Sequence, residues 1–248
     1  MAKTRYLTLV LSDIHLGSNS SRPKEVLAFL KTVSCDKLLL NGDIFDFWSL
    51  KRGGKWTKDH TKVIRKILKM TYKENTEVIY IRGNHDDFLD NIIPMSIPGI
   101  KICKDYVHES FGKRFYVVHG DFFDLITTKF KFLSVLGGMA YDSLIWLNKK
   151  YNNYRLWRGR DYYSLSQAIK YKVKAAVSFI SDFENTLSDY AKKQKFDGVI
   201  CGHIHHPEIK EINGVTYMNS GDGVETMSCL VEEFDGSWKI LYYGNNHK

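Results

Sequence analysis

Residues 8–17 read TLVLSDIHLG. The apolar run from Leu7 to Leu11 is short, which suits a buried strand better than a helix. It stops at Asp13, and His15 follows two residues later. Two readings of this corner stand open. Asp13 satisfies its own backbone in a turn, or the carboxylate and the imidazole are a pair of metal ligands. Deciding between them requires knowing which other polar groups the chain sends to the same place.

Five further runs follow the same plan: DKLLLNGD (36–43), EVIYIRGNHD (77–86), RFYVVHGD (114–121), FDGVICGHIHH (196–206) and VTYMNSGD (215–222). Each is a short apolar, β-branched-rich stretch closed by Gly and polar residues, a strand signal. Helices are expected between some of them. One runs from Pro23 to Val33, with Pro23 suited to the first helical position. Another runs from His60 to Tyr72, where Val63, Ile64, Ile67, Leu68 and Thr71 keep helical spacing. This is an α/β pattern whose polar clusters sit at the carboxyl ends of strands, where such sheets bind ligands. From about residue 125 to 191 the pattern changes to a long, aromatic, basic stretch with little strand character. We read residues 1–248 as one domain with a helical cap inserted there, Ile169, Val173, Ala176, Val177, Ile180 and Phe183 forming one apolar stripe.

The formal net charge is +8, and the segment from Asp121 to Ala175 carries ten Lys or Arg against four Asp, a net of +6. A concentrated basic segment suits a polyanion, an anionic membrane surface or a phosphorylated substrate. Cys35, Cys103, Cys201 and Cys229 are widely spaced and form no C-x-x-C, so buried free thiols in a reducing compartment are expected. No run of about 18 apolar residues predicts a membrane span, and the N-terminus lacks the pattern of a secretory signal. A cytoplasmic protein is expected, with peripheral contact at the inner membrane through the basic cap.

The strand-end clusters together supply Asp13, His15, Asp43, Asn84, His119, His203 and His205. Mixed nitrogen and oxygen donors suit Mn, Fe, Zn or Co better than an all-oxygen Mg or Ca cage. In D-x-H and H-x-H, extended backbone would point residues i and i+2 the same way. Seven ligands are too many for one tetrahedral ion and suit two divalent ions that share a bridging carboxylate. The remaining polar residues take plainer roles. His60, His108 and His247 are expected at surface or ordinary polar positions, and His206 points away from its two neighbours. Asp121 and Asp222 support the site or cap turns. Asp86 caps the next helix.

The blocks D-x-H, G-D-x-x-D, G-N-H-D, H-G and G-H-x-H, in this order from Asp13 to His205, resemble the calcineurin-like metallophosphoesterases. The resemblance implies an αββα sandwich of two mixed sheets flanked by helices. It also implies that Asp13, His15, Asp43 and His205 hold one ion, and that Asp43, Asn84, His119 and His203 hold the other. Two such ions clamp a phosphoryl group beside a water nucleophile. His85 is then a catalytic non-ligand that stabilises the transition state or protonates the leaving group, oriented by Asp46.

Four stretches, NGDIFDFW, GNHDDFLD, RLWRGRDYYSLSQAIK and DGVICGHIHHPEI, look like the UDP-2,3-diacylglucosamine diphosphatase branch of that superfamily. That implies release of UMP and a lipid-sugar phosphate in lipid A synthesis. Arg155, Arg158 and Arg160 supply guanidinium groups for a diphosphate. Phe130, Phe132, Tyr141, Trp146, Tyr154 and Trp157 offer a lining for acyl chains. The best-known members of the branch carry Arg where this chain has His85. A phosphodiesterase acting on nucleotides or nucleic acid, or a hydrolase of other phospholipid-type substrates, would use the same centre. A nuclease, however, needs a long basic track, and here the charge is compact. Non-catalytic scaffolds of this fold lose ligands, and this chain keeps them all.

Overall fold

The computed structural model describes residues 3–123, 150–151, 154–159 and 165–244, with the side chains of residues 165–175 left aside. The six expected strands are present as β1 (Thr4–Leu11), β2 (Val33–Asn41), β3 (Glu77–Ile81), β7 (Lys113–Val118), β8 (Gly198–Cys201) and β10 (Val215–Asn219). Six more complete the sheets: β4 (Met95–Ile97), β5 (Ile100–Cys103), β6 (Asp105–Ser110), β9 (Glu208–Ile212), β11 (Ser228–Glu232) and β12 (Trp238–Tyr242). The first sheet runs β12-β11-β1-β2-β3-β5-β4 and the second β6-β7-β8-β10-β9. Both are mixed. Parallel pairing joins β1 to β2, β2 to β3 and β3 to β5, and it joins β7 to β8 and β8 to β10.

Alternation along the strands builds two cores. Val10, Leu39, Ile79, Phe115, Val117, Ile200, Met218 and Leu230 face inward and fill the space between the sheets. Leu9, Leu11, Leu38, Leu40 and Val231 face outward and receive Val26, Phe29 and Leu30 of α1 (Pro23–Thr32) and Val63, Ile67 and Met70 of α3 (Lys58–Glu74). A short α2 (Phe47–Lys51) precedes α3. On the far side of the second sheet, Tyr190 of α4 (Leu165–Lys193) and the following Phe196 stand over Tyr116 with ring centroids at 5.3 Å. The architecture is therefore a two-sheet α/β sandwich flanked by helices.

The chain forms two compact units, Met1–Phe122 with Thr186–Lys248, and Phe123–Asn185. In the second, the backbone N–H of Arg158 donates to the Tyr154 carbonyl at 3.1 Å, as in a helical turn, and Trp157 is 79% exposed. Phe130, Phe132, Tyr141, Trp146, Arg160 and His247 lie outside the described residues. Among the described residues no helix is long and apolar enough to cross a membrane. All four cysteines are buried and free.

Two of the histidines expected in plain roles are buried in structural hydrogen bonds. His60 is buried because it sits at the third position of α3, where its Nδ1 accepts from the Thr57 N–H at 3.0 Å in a capping box. His108 is buried because it faces inward from β6, with Nε2 3.0 Å from Glu232 Oε2.

Leu39 is fully buried between the sheets. Leu39→Ala is expected to lower the unfolding free energy by about 2–5 kcal/mol, read from urea denaturation. A loss under about 1 kcal/mol would mean that the space between the sheets is not close-packed.

Candidate metal centre

The loops after β1, β2, β3, β7 and β8 meet at one end of the sandwich. Backbone bonds lace the first two together: Asp13 N–H donates to the Gly42 carbonyl at 3.0 Å and His15 N–H to the Asp43 carbonyl at 2.9 Å. Gly202 N–H, after β8, donates to the His119 carbonyl at 3.1 Å. The local backbone is unusual. Asp13, His15, Asp43, His203 and His205 all adopt φ between 50° and 68°, the left-handed region that side chains disfavour. Extended alternation is therefore not what brings the D-x-H and H-x-H side chains together. Left-handed turns do so, each held by hydrogen bonds and packing that outweigh the local strain.

Asp13 is fully buried. Its Oδ2 accepts from His203 N–H at 3.0 Å, and its Oδ1 lies 3.2 Å from His205 Nε2, 3.9 Å from His15 Nε2 and 4.0 Å from His119 Nε2. Asp43 Oδ2 lies 3.4 Å from His119 Nε2 and 3.9 Å from both His15 Nε2 and His85 Nε2. Its Oδ1 accepts from His85 N–H at 2.7 Å. Three overlapping groups result, each with donor atoms within 4.8 Å of one another: Asp13, His15 and His205; Asp43, His119 and His203; and His15, Asp43 and His85. Either of the first two is a sufficient nucleus for a cation.

The donor atoms are aimed for such a role. His119 Nδ1 is tied to the Asn41 carbonyl at 2.9 Å, which leaves Nε2 buried with no hydrogen-bond partner among the described residues. Asn84 Oδ1 and His15 Nδ1 are likewise buried and unpartnered. Buried polar atoms without partners are uncommon and call for an occupant. A divalent ion of the mixed-donor class suits these imidazole, carboxylate and carboxamide groups.

The electrostatics match. Burial alone would raise the Asp13 carboxyl, yet the His119 and His205 imidazoles hold it far below its ordinary range. The same opposition, with His119 dominant, pushes Asp43 down to about 2. Burial alone would lower the two imidazoles, but Asp43 and Asp13 raise His119 to about 10, and Asp13 raises His205 to about 9. His15 is lowered by burial, Asp43 and Asp13 opposing. The two carboxylates thus stay ionised in a buried place that favours positive charge.

Around this nucleus, Asp46 plays two structural parts. Its Oδ1 accepts from Ser49 N–H at 2.7 Å, capping α2, and also lies 3.1 Å from His85 Nδ1. The Trp48 ring stands 4.4 Å from the His85 ring. Asp86 departs from expectation. It occupies the cap position of the short turn Asp87–Asn91, but its side chain makes no cap bond. It turns inward, accepting from the N–H groups of Ile44 and Phe45 at 3.3 and 3.1 Å and from the Tyr80 hydroxyl at 2.9 Å. It thereby fixes the loop that carries Asp43, a role with no local sequence signature. Asp121 pairs with Arg82, which also reaches Asp90 at 3.3 Å. Asp222 caps its own turn, accepting from Val224 N–H at 2.7 Å. His206 is exposed and 3.9 Å from Glu208. In the second unit, Arg155 lies 5.7 Å from the Tyr151 ring, and Arg158 lies 5.7 Å from Tyr154 and 5.9 Å from Trp157.

Residues 6–207 match the family described as Calcineurin-like phosphoesterase. The chain belongs to that family. It is a metal-dependent phosphoester hydrolase. Among characterised relatives, the chain is 23% identical to the UDP-2,3-diacylglucosamine hydrolase of Photorhabdus laumondii over 228 residues, 83% of this chain and 84% of that one. It is 26% identical to the UDP-2,3-diacylglucosamine hydrolase of Aliivibrio fischeri over 210 residues, 81% and 82% of the two chains. Among solved structures, a novel archaeal phosphodiesterase aligns over 94% of this chain and 98% of its own, at 13% identity and a TM-score of 0.42.

Gly42 has φ +80°, and a Cβ there would overlap the His119 ring. Gly42→Ala is expected to lower stability by about 1–3 kcal/mol and to displace His119. Urea denaturation and the His119 imidazole NMR signals check both, and an unmoved His119 signal would show that the close approach is dispensable.

Proposed function

We propose that this hydrolase uses two divalent ions, manganese first among the candidates, to cleave the diphosphate of a UDP-linked diacyl sugar. UDP-2,3-diacylglucosamine or a close analogue is the substrate, and UMP and the lipid-sugar phosphate are the products. The observation that carries the dinuclear half is the buried donor set itself, two His/Asp groups joined through shared neighbours, with His119 Nε2 and Asn84 Oδ1 buried and without hydrogen-bond partners among the described residues. Asp13, His15, Asp43 and His205 would hold one ion and Asp43, Asn84, His119 and His203 the other. When bound, the ions supply charge neutralisation of the phosphate and a more acidic water.

The chain's own residues do the rest. Asp46, fixed by Ser49, holds His85 Nδ1, so that His85 Nε2 is directed toward the cluster and can pass a proton to the leaving oxygen. Arg155, Arg158 and Arg160 would pair with the diphosphate. The named relatives support the lipid-nucleotide substrate. So does the basic, aromatic segment between Asp121 and Ala175, which also suits peripheral contact with an anionic bilayer on the cytoplasmic side.

Manganese should raise the melting temperature saturably, EDTA should reverse the effect, and Asp43→Asn should abolish it. An unchanged melting temperature in the unmodified protein would refute the metal centre. Offered UDP-2,3-diacylglucosamine beside bis-p-nitrophenyl phosphate, the Mn-loaded protein should release UMP. His85→Ala should lower kcat roughly 10²- to 10⁴-fold with metal content unchanged. Turnover of the generic diester alone would exclude the lipid substrate.

A further inference from the structure

A hydrogen bond at Nδ1 alone does not fix an imidazole. The ring turns broadly about its Cβ–Cγ bond, so the single contact of His85 Nδ1 with Asp46 Oδ1 at 3.1 Å leaves the ring plane free to tilt. The His85 side chain is also 15% exposed, so part of it borders solvent. What holds the plane must come from packing, and two rings supply it. The Trp48 ring lies with its centroid 4.4 Å from that of His85 and its plane inclined by 35°. His15 lies at 4.6 Å and 85°, in a T-shaped contact.

Trp48 is the second residue of α2, a helix with no buried residue. It joins neither of the two apolar cores. The start of α2 is tied instead to the two loops that carry these imidazoles. Asp46 N–H donates to the Leu16 carbonyl at 2.9 Å, beside His15, and Phe47 N–H donates to the His85 carbonyl at 3.3 Å. Ser49 Oγ donates to Asp46 Oδ2 at 2.7 Å, and a Cβ at Gly17 would overlap Leu50, so α2 lies close on the loop after β1. One short helix therefore brings both holds to His85, a carboxylate from its cap and an indole from its second position. The ring so held has Nε2 3.9 Å from Asp43 Oδ2. Proton transfer needs that atom in place, because a displacement of about 1 Å costs on the order of 10²-fold in rate.

We propose that Trp48 is a positioning residue for hydrolysis that holds the His85 ring plane, an inference that rests on His85 being the proton donor described above. Steady-state kinetics of the Mn-loaded full chain on UDP-2,3-diacylglucosamine and on bis-p-nitrophenyl phosphate test it. Trp48→Leu should lower kcat roughly tenfold, with KM and metal content unchanged, and Trp48→Phe, which keeps a ring face, should recover most of the loss. In a His85→Ala background, Trp48→Leu should change kcat less than about twofold. A raised KM at constant kcat would mean that Trp48 touches substrate. A loss that persists without His85, or that accompanies loss of metal, would mean a purely structural role. Each of these results overturns the proposal. His85→Ala at full kcat would overturn the proton donor and Trp48's role with it, whereas Trp48→Leu at full kcat beside an impaired His85→Ala would overturn the role of Trp48 alone. One measurement needs neither variant nor substrate. In the zinc-loaded full chain, the His85 ring C–H groups should give one sharp set of NMR signals with NOEs to the Trp48 indole, and doubled signals or missing NOEs would overturn the proposal.

Discussion

Two carboxylates that must be buried within reach of the same imidazoles dominate this structure. Asp13 and Asp43 each approach the Nε2 atoms of both His15 and His119, at 3.4 to 4.0 Å. Ionised carboxylates in a low-dielectric place repel each other and lose hydration. They persist there only because compensating groups are built around them. Backbone N–H groups of His203 and His85 bind their oxygens directly, and His119 and His205 are driven to hold protons when nothing else supplies positive charge. The same demand is what makes the site a receptor for divalent cations. A cation there satisfies the carboxylates and the unpartnered ring nitrogen of His119 together.

Placing five of these residues in the left-handed region is unfavourable, and the remainder of the sandwich offsets it. Non-glycine residues at positive φ cost of order 1–3 kcal/mol each. The strands leading into the turns are among the most buried of the molecule, with Leu9, Val10, Leu11, Leu38 and Leu39 fully inaccessible. The turns themselves are cross-linked. Asn41 Nδ2 donates to the Val118 carbonyl at 3.1 Å, Asn219 Nδ2 to the Gly202 carbonyl at 2.8 Å, and Gly223 N–H to the Asp13 carbonyl at 3.1 Å. Asp86 adds a further brace on the loop of Asp43 from inside the protein. The rigidity that defines the donor positions is therefore distributed over both sheets.

Much of this arrangement was legible in the chain. Strands that end at Gly and a polar pair announce themselves, because the apolar run and its terminator are adjacent in sequence. The α3 stripe was equally plain, and its observed bounds, Lys58–Glu74, exceed the expected His60–Tyr72 by a few residues because Thr57 and Asn75 supply the caps. Other features were not legible. β11 and β12 join across Asp235–Gly236, yet β11 also pairs with β1, more than 200 residues earlier, and nothing local states that pairing. The D-x-H and H-x-H side chains come close, but not through the extended backbone expected of them. In both D-x-H and H-x-H the two polar residues, not the one between them, adopt the left-handed conformation. Asp86 looked like a cap because a helical turn follows it. Its actual partners, Ile44, Phe45 and Tyr80, come from two other segments.

The contrast between the two buried polar groups makes the same point from the other side. Two loops at the candidate metal centre carry a pair of donors each, Asp13 with His15 and His203 with His205, and those short motifs can be seen alone. The buried group around Glu232 draws one polar residue from each of four strands, Thr8, His108, Glu232 and Trp238, and their sequence neighbours are ordinary strand residues. A single inward-facing polar residue in a strand carries no information about its partners until register is known. Nothing beside His108 in the sequence states that it faces Glu232 from the other sheet, at 3.0 Å. A sandwich can therefore announce the polar clusters at its strand ends while hiding a second buried polar group inside its cross-strand rows, which only three-dimensional register assembles.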